Sequence, residues 1–301
     1  MFGLGKPTPV AEHEADGEVE RVYHEIKQVL RVTGVNLNFR DWAGYKKFFP
    51  VMWDALRPNA ETRDFETAAD CLRIEAANAA HALGPLQGAN AIRLGESQAF
   101  QIRAALRLYR YINPKLLVFT SAVRLALAGE STGSGDAKRP VKLVELGAPH
   151  QMYALEMESE KPHEDNLNKL YTDIKRTLSL KSINSDYRTL ALWPNYLAGA
   201  WHKLKPVIQQ DHYAQASIQL LELARAAARA LPLSISLSRD RIQELGEDTD
   251  EIVTMTDHFE SLLPNLILNI ALLEHDFQAG EDLASSPFPA PDRHVHKGGA
   301  V

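Results

Sequence analysis

Three features of the sequence predict an all-α fold. Apolar residues recur at helical spacing along most of the chain, no segment sustains alternation with β-branched residues, and the two halves repeat each other in register. From Glu18 to Leu30, residues Val19, Val22, Tyr23, Ile26, Val29 and Leu30 share one face. Ser97 can cap a helix through Tyr111, expected to end before Pro114 because the residue preceding proline avoids the α region. Ala214 to Leu231 carries the stripe Ile218, Leu221, Ala224, Ala228 and Leu231 and is stopped by Pro232. GESTGSG, Gly129 to Gly135, has linker composition, and the mixed stretch onward to about Asn168 reads as a long crossover. From Ser285 the chain reads as an extended tail whose SSPFP start can dock on the body.

The repeat is specific. Tyr23, Ile26, Lys27 and Leu30 recur 148 positions later as Tyr171, Ile174, Lys175 and Leu178. The same register pairs Asn36 with Asn184, Arg40 with Arg188, Trp53 with Trp201 and Pro58 with Pro206. Pro114, Leu116 and Leu117 meet Pro264, Leu266 and Ile267 at 150 positions. This predicts a duplicated helical unit of roughly 130 residues, an ordinary domain size. The halves are residues 1–128 and 168–284, joined by 129–167 and followed by a tail at 285–301. Differences between the copies then point to an asymmetric site between them: Asp186 faces Asn38, Tyr187 faces Phe39, and Asn113 faces Leu263.

Composition narrows the function. Forty-five per cent hydrophobic and 24% charged residues is globular composition. A net charge of −6 argues against a general nucleic-acid or anionic-membrane binder, which needs a basic face. The single cysteine, Cys71, allows no internal disulfide or CxxC pair. No secretory signal and no run near the ~20 apolar residues of a membrane span is visible, so a cytoplasmic location is expected.

Asn184-Ser185-Asp186-Tyr187 lies between two helical stretches. Asn, Ser and Asp are preferred turn and N-cap residues, so plain turn chemistry explains them; the alternative is a carboxylate poised in an apolar cleft, its pKa raised by burial into a useful range. Asn113 before Pro114 is most simply a C-terminal cap or turn residue, with a positioned water ligand as the lesser alternative. No metal and no cofactor are expected: the eleven histidines are scattered without HExxH spacing, and His294 and His296 sit in the tail. Serine-hydrolase elbows and phosphate loops are absent. Cys71 reads as a small residue on the apolar face of a helix, and Trp42, Trp53, Trp193 and Trp201 as core anchors.

Four segments in order carry a resemblance: YHEIKQVLRV at Tyr23 to Val32, INPKLL at Ile112 to Leu117, SDYRTLALWP at Ser185 to Pro194 and SPFP at Ser286 to Pro289. Together with the duplication they resemble the group I 2-haloacid dehalogenases from about residue 16 to 289. The resemblance implies an all-α homodimer hydrolysing short 2-haloalkanoic acids to 2-hydroxy acids with inversion, without an ester intermediate. In that pattern Asp186 activates water, Asn113 positions it, and Ser185 lines the substrate pocket with its neighbours Asn184 and Tyr187. Two departures bear on the substrate. Family members can carry a tryptophan where Gly34 stands here, and asparagine at the position of Asn184 accompanies selectivity for the D (R) enantiomer. A catalytically silent helical binding or assembly protein on the same scaffold is the competing reading.

Overall fold

A computed structural model describes residues 7–87, 92–133, 140–277 and 283–293. Among them a short 3-10 turn at Glu12–Glu14 precedes α1 Gly17–Val29, α2 Leu37–Trp42, α3 Phe48–Ala60, α4 Arg63–Leu83 and α5 Glu96–Leu127. There follow α6 Asp165–Leu178, α7 Ser185–Leu190, α8 Pro194–Ile208, α9 Asp211–Arg229, α10 Arg239–Glu244 and α11 Thr249–His275. The only extended pairings among the described residues are isolated bridges, Thr62 with Leu143 and Val144 with Asp292. The fold is all-α. No helix among these residues is long and apolar enough to cross a membrane.

The two longest helices, α5 and α11, share the most extensive contact and form the centre. Their sequences say why. Every residue of α5 from Tyr109 to Val123 is buried, and α11 is buried almost continuously from Leu262 to Glu274. A helix apolar on all sides can only be stable in the middle of a body. The amphipathic helices cover this pair. α1 buries Val19, Val22, Tyr23, Ile26 and Val29, the face read from its spacing.

Helix α5 does not stop before Pro114; it passes through it. An internal proline frees the carbonyl four residues back, here that of Arg110. The Arg73 guanidinium, buried on α4, supplies replacement donors: Nε reaches the Arg110 carbonyl at 3.2 Å and Nη2 the Tyr111 carbonyl at 3.3 Å. The expected break is thus removed by a side chain 37 positions away. The helix also begins at Glu96, not after Ser97.

Two surface assignments change as well. In α9 the buried face is Tyr213, Ala216, Leu220, Ala224 and Ala228, leaving Ile218 of the expected stripe exposed. Cys71 is exposed and not a core residue, because the buried positions of α4 are Ala69, Leu72, Arg73 and Ala76, out of phase with 71. Trp42, Trp53 and Trp201 are buried, and Trp193 packs partly buried against the same core.

The tail docks. Phe288 packs edge-on to Tyr111 at 5.4 Å, Arg63 Nη2 donates to the Ala290 carbonyl at 2.6 Å, and Arg110 Nη1 donates to the Leu283 and Ser285 carbonyls at 2.7 Å. His294 and His296 lie outside the described residues. Beside these contacts Lys115 is wholly buried, its Nζ 2.5 Å from Glu66 Oε1, 2.7 Å from the Tyr111 hydroxyl and 3.1 Å from the Leu30 carbonyl. Removing one member of such a pair strands the other charge. Lys115→Met is therefore expected to cost about 3–5 kcal/mol, read as a lower urea midpoint at unchanged slope; a loss below ~1 kcal/mol would show that Glu66 is not stranded.

Candidate active site

Helix α7 is a six-residue helix whose first turn holds Asp186. Tyr187 and Leu190 anchor it in the core, which draws Asp186 inside as well; the aspartate is 3% exposed. Across from it, α5 presents Asn113 from the run that continues through Pro114. Asn113 Nδ2 donates to Asp186 Oδ1 at 2.8 Å. One helical turn earlier on the same face, the Tyr109 hydroxyl bonds Thr189 Oγ1 at 2.7 Å. These two bonds hold α7 to α5. The Ser185 hydroxyl approaches the other carboxylate oxygen, Oδ2, at 3.5 Å, the outer limit of a hydrogen bond.

Burial pushes the Asp186 carboxyl up to about 6, against the lowering effects of the Asn113 amide, its own backbone N–H and the Ser185 hydroxyl. The Tyr109 phenol is held above its usual range, first by burial and then by the charge of Asp186. A carboxylate that ionises near neutral pH and is gripped on one oxygen is a general base in waiting.

Beside this pair lies a cavity of about 160 Å³ whose wall includes Gly34, Tyr109, Ile112 and Ser185, with Arg40 and Arg188. A Cβ at Gly34 would be accommodated without a clash, in ordinary van der Waals contact with Glu12 Oε1 at 3.5 Å. Asn184 occupies the N-cap position of α7 without capping it, and its Oδ1 is buried without a hydrogen-bond partner among the described residues. It belongs to the wall of a second, larger cavity of about 420 Å³, with Lys181, His258, Phe259 and Leu262. Leu37 touches both cavities. Tyr187 reaches neither. Its hydroxyl accepts from Asn269 Nδ2 at 2.8 Å, Asn269 Oδ1 accepts from the Tyr213 hydroxyl at 2.8 Å, and its ring packs edge-on to Trp201.

Asn113, Asp186 and Ser185 thus meet, Ser185 and Gly34 share the wall of the smaller cavity while Asp186 and Asn113 sit just behind that wall, Asn184 lines the larger cavity, and Tyr187 is tied into the helix packing. Three wall residues were not singled out for the site in sequence: Tyr109, Arg40 and Arg188. Each carried a signal. Tyr109 is four residues before Asn113, hence on its face, and Arg40 and Arg188 are mates in the repeat.

Comparison with known proteins gives the family. The family model described as halocarboxylic acid dehydrogenase DehI matches residues 33–187, half of the chain, including Gly34, Asn113 and Asp186. A (R)-2-haloacid dehalogenase of Pseudomonas putida is 34% identical over 277 residues, covering 87% of this chain and 90% of the relative. The chain belongs to the DehI family of 2-haloacid dehalogenases. A configuration-inverting 2-haloacid dehalogenase of Pseudomonas sp. strain 113 is 28% identical, covering 93% of this chain and 94% of its own. Among solved structures, a D-2-haloacid dehalogenase in complex with L-LA superposes at a TM-score of 0.82 with 32% identity, covering 89% of this chain and 95% of that one.

The raised Asp186 pKa has a stability consequence. The folded state holds its proton more tightly than the unfolded chain, so ionisation costs stability as pH rises from the ordinary aspartate value of 3.8 through about 6, and the full cost is present above that. Asp186→Asn is therefore expected to be more stable than the parent at pH 7.5, by up to about 3 kcal/mol, and to match it more closely at pH 4. Thermal unfolding across pH 4–8 reads this; a variant less stable at every pH would mean that the carboxylate is not strained by burial.

Proposed function

We propose that this protein hydrolyses short 2-haloalkanoic acids to 2-hydroxy acids with inversion at Cα, favouring the D (R) enantiomer. The observation that carries the reading is the buried Asn113–Asp186 bond, with a carboxyl titrating near 6, beside a small cavity walled by Ser185. In this mechanism Asp186 accepts a proton from a water whose second proton is directed to the amide oxygen of Asn113. The water oxygen forms a bond to Cα from the face opposite the halogen, the carbon–halogen bond breaks, and halide departs with the bonding pair. The oriented pair acts within a site largely shut off from solvent, and such positioning contributes about 7–11 kcal/mol in favourable cases. Ser185 lies where a hydroxyl can hold the substrate carboxylate. Gly34 widens the wall where relatives can hold tryptophan, and Asn184 supports the D preference, as do relatives described as (R)- and D-2-haloacid dehalogenases.

The duplication belongs to the same reading. We take residues 1–128 and 168–284 as pseudo-repeats, linked by 129–167 and tailed by 285–301. Several features support it. α1 to α4 and α6 to α9 recur at close to 148 positions. Trp53 Nε1 donates to Glu25 at 2.8 Å while its mate Trp201 donates to Asp173, the mate of Glu25, at 2.9 Å. In the larger cavity Leu180, Lys181, Ser182, Asn184, Phe259 and Leu262 are the mates of active-cavity wall residues, and there the aspartate and asparagine are replaced by Asn38 and Leu263. That asymmetry would leave one reactive centre per chain. A cytoplasmic homodimer completes the proposal, supported by the family resemblance and the single cysteine.

Halide release from D- and L-2-chloropropionate tests the reaction. The D enantiomer is expected to turn over faster, and Asp186→Asn to lose about 10²–10⁴-fold in kcat. Single turnover in ¹⁸O-water should place the label in the product. Label in the Asp186 carboxylate, or full activity in the variant, would sink the mechanism.

A further inference from the structure

Arg40 on α2 and Arg188 on α7 stand 148 positions apart and are pinned in the same way. Arg40 Nε donates to the Val10 carbonyl at 3.4 Å, and the Val10 N–H donates back to the Arg40 carbonyl at 3.0 Å. Arg188 Nε donates to the Glu158 carbonyl at 2.8 Å, and the Glu158 N–H donates back to the Arg188 carbonyl at 3.0 Å. Val10 and Glu158 are themselves 148 apart. One anchoring device therefore holds two arginines that line the same small cavity, with Ser185 and Tyr109.

Charge accounting makes this pair informative. Both arginines are partly buried, and neither has an ion-pair partner among the described residues. Asp41 feels Arg40 through space, yet burial still holds its carboxyl up at about 6, and no hydrogen bond joins them. The one acid in the cavity wall, Glu12, is already engaged by Lys27 at 3.2 Å and by the Val35 N–H at 2.8 Å. Cations removed from water are normally compensated by an anion. With Nε spent on a backbone carbonyl, each guanidinium keeps its Nη donors, whose planar geometry matches a carboxylate.

We propose that Arg40 and Arg188 form the seat for the carboxylate of a short 2-substituted acid, the haloacid substrate and its 2-hydroxy product alike. The inference rests on the dehalogenase reading above. It answers a difficulty in that reaction: an anionic substrate must approach the anionic base Asp186, and two fixed cations cancel the repulsion. Ser185 then sets the register along the seat. Both arginines are positioning residues; neither touches the reacting carbon.

Arg40→Met and Arg188→Met, each with its Lys counterpart, test the seat through steady-state kinetics on D-2-chloropropionate, calorimetric binding of lactate, and thermal unfolding. Each Met variant is expected to raise KM and the lactate Kd by about 10- to 100-fold, with a smaller change in kcat and partial recovery with Lys. KM and lactate Kd within about twofold of the parent, whatever happens to Tm, would show the arginines to be structural pins only and overturn the seat. If a Met variant does not fold, the Lys variant decides, because a point charge cannot reproduce a planar fork and KM must still rise. Wild-type protein that binds lactate tightly but releases no halide would instead defeat the dehalogenase reading and leave the seat standing; wild-type protein that does neither defeats both.

Discussion

The hydrogen bond between Asn113 and Asp186 is the constraint on which the rest of the structure depends. It joins the central helix to a helix too short to hold itself in place, and it leaves a carboxylate inside the protein with a single strong donor. A buried carboxylate with more donors would be a weak base, and one with none would stay protonated. Here burial raises the pKa and the Asn113 amide restrains it, which leaves the group ionisable near neutral pH.

Keeping Asn113 in register places demands on the whole of α5. The residue immediately precedes a proline, where most helices would turn away, and a kink there would move the amide off the carboxylate. Arg73 prevents this by bonding the two carbonyls below it. The neighbouring charges are then disposed of within the core: Lys115 on Glu66, and Arg110 on Glu274 at 2.6 Å and on the tail carbonyls. Burial holds the Glu274 carboxyl above its usual range even so. A rigid scaffold made from buried ion pairs is costly in desolvation, but it fixes geometry around a site that needs sub-ångström placement.

Relatives described as haloacid dehalogenases give the family, and the physics of this chain says how its residues would serve that chemistry. The smaller cavity carries Arg40 and Arg188 with Glu12, whereas the larger cavity, which shares Leu37 with it, carries Asp41, Asp248, Asp250 and Glu251 with Lys181. The two cavities therefore differ in the sign of their surroundings, and a cationic wall attracts small carboxylates.

Much of this was legible in sequence because it depends on local periodicity. The helical character, the face of α1, the matched registers of the halves and the singularity of Asp186 all follow from residue type and spacing. Asp186 and Asn113 stand out as differences between the copies, Ser185 and Gly34 through the family resemblance; Asn113 bonds Asp186, and Ser185 and Gly34 share one cavity wall. Other outcomes rested on contacts between segments far apart. Whether α5 survives Pro114 is settled by Arg73 on α4, the outward side of α9 by its neighbours, and the inward turn of Tyr187 by Asn269 on α11. The fitness of Asp186 to act as a base was likewise undetermined by its neighbours in the chain, since Asn-Ser-Asp suits any helix start. Only tertiary packing withdrew that carboxylate from water and set one amide against it, and a pKa is a property of surroundings, which a sequence does not contain until it folds.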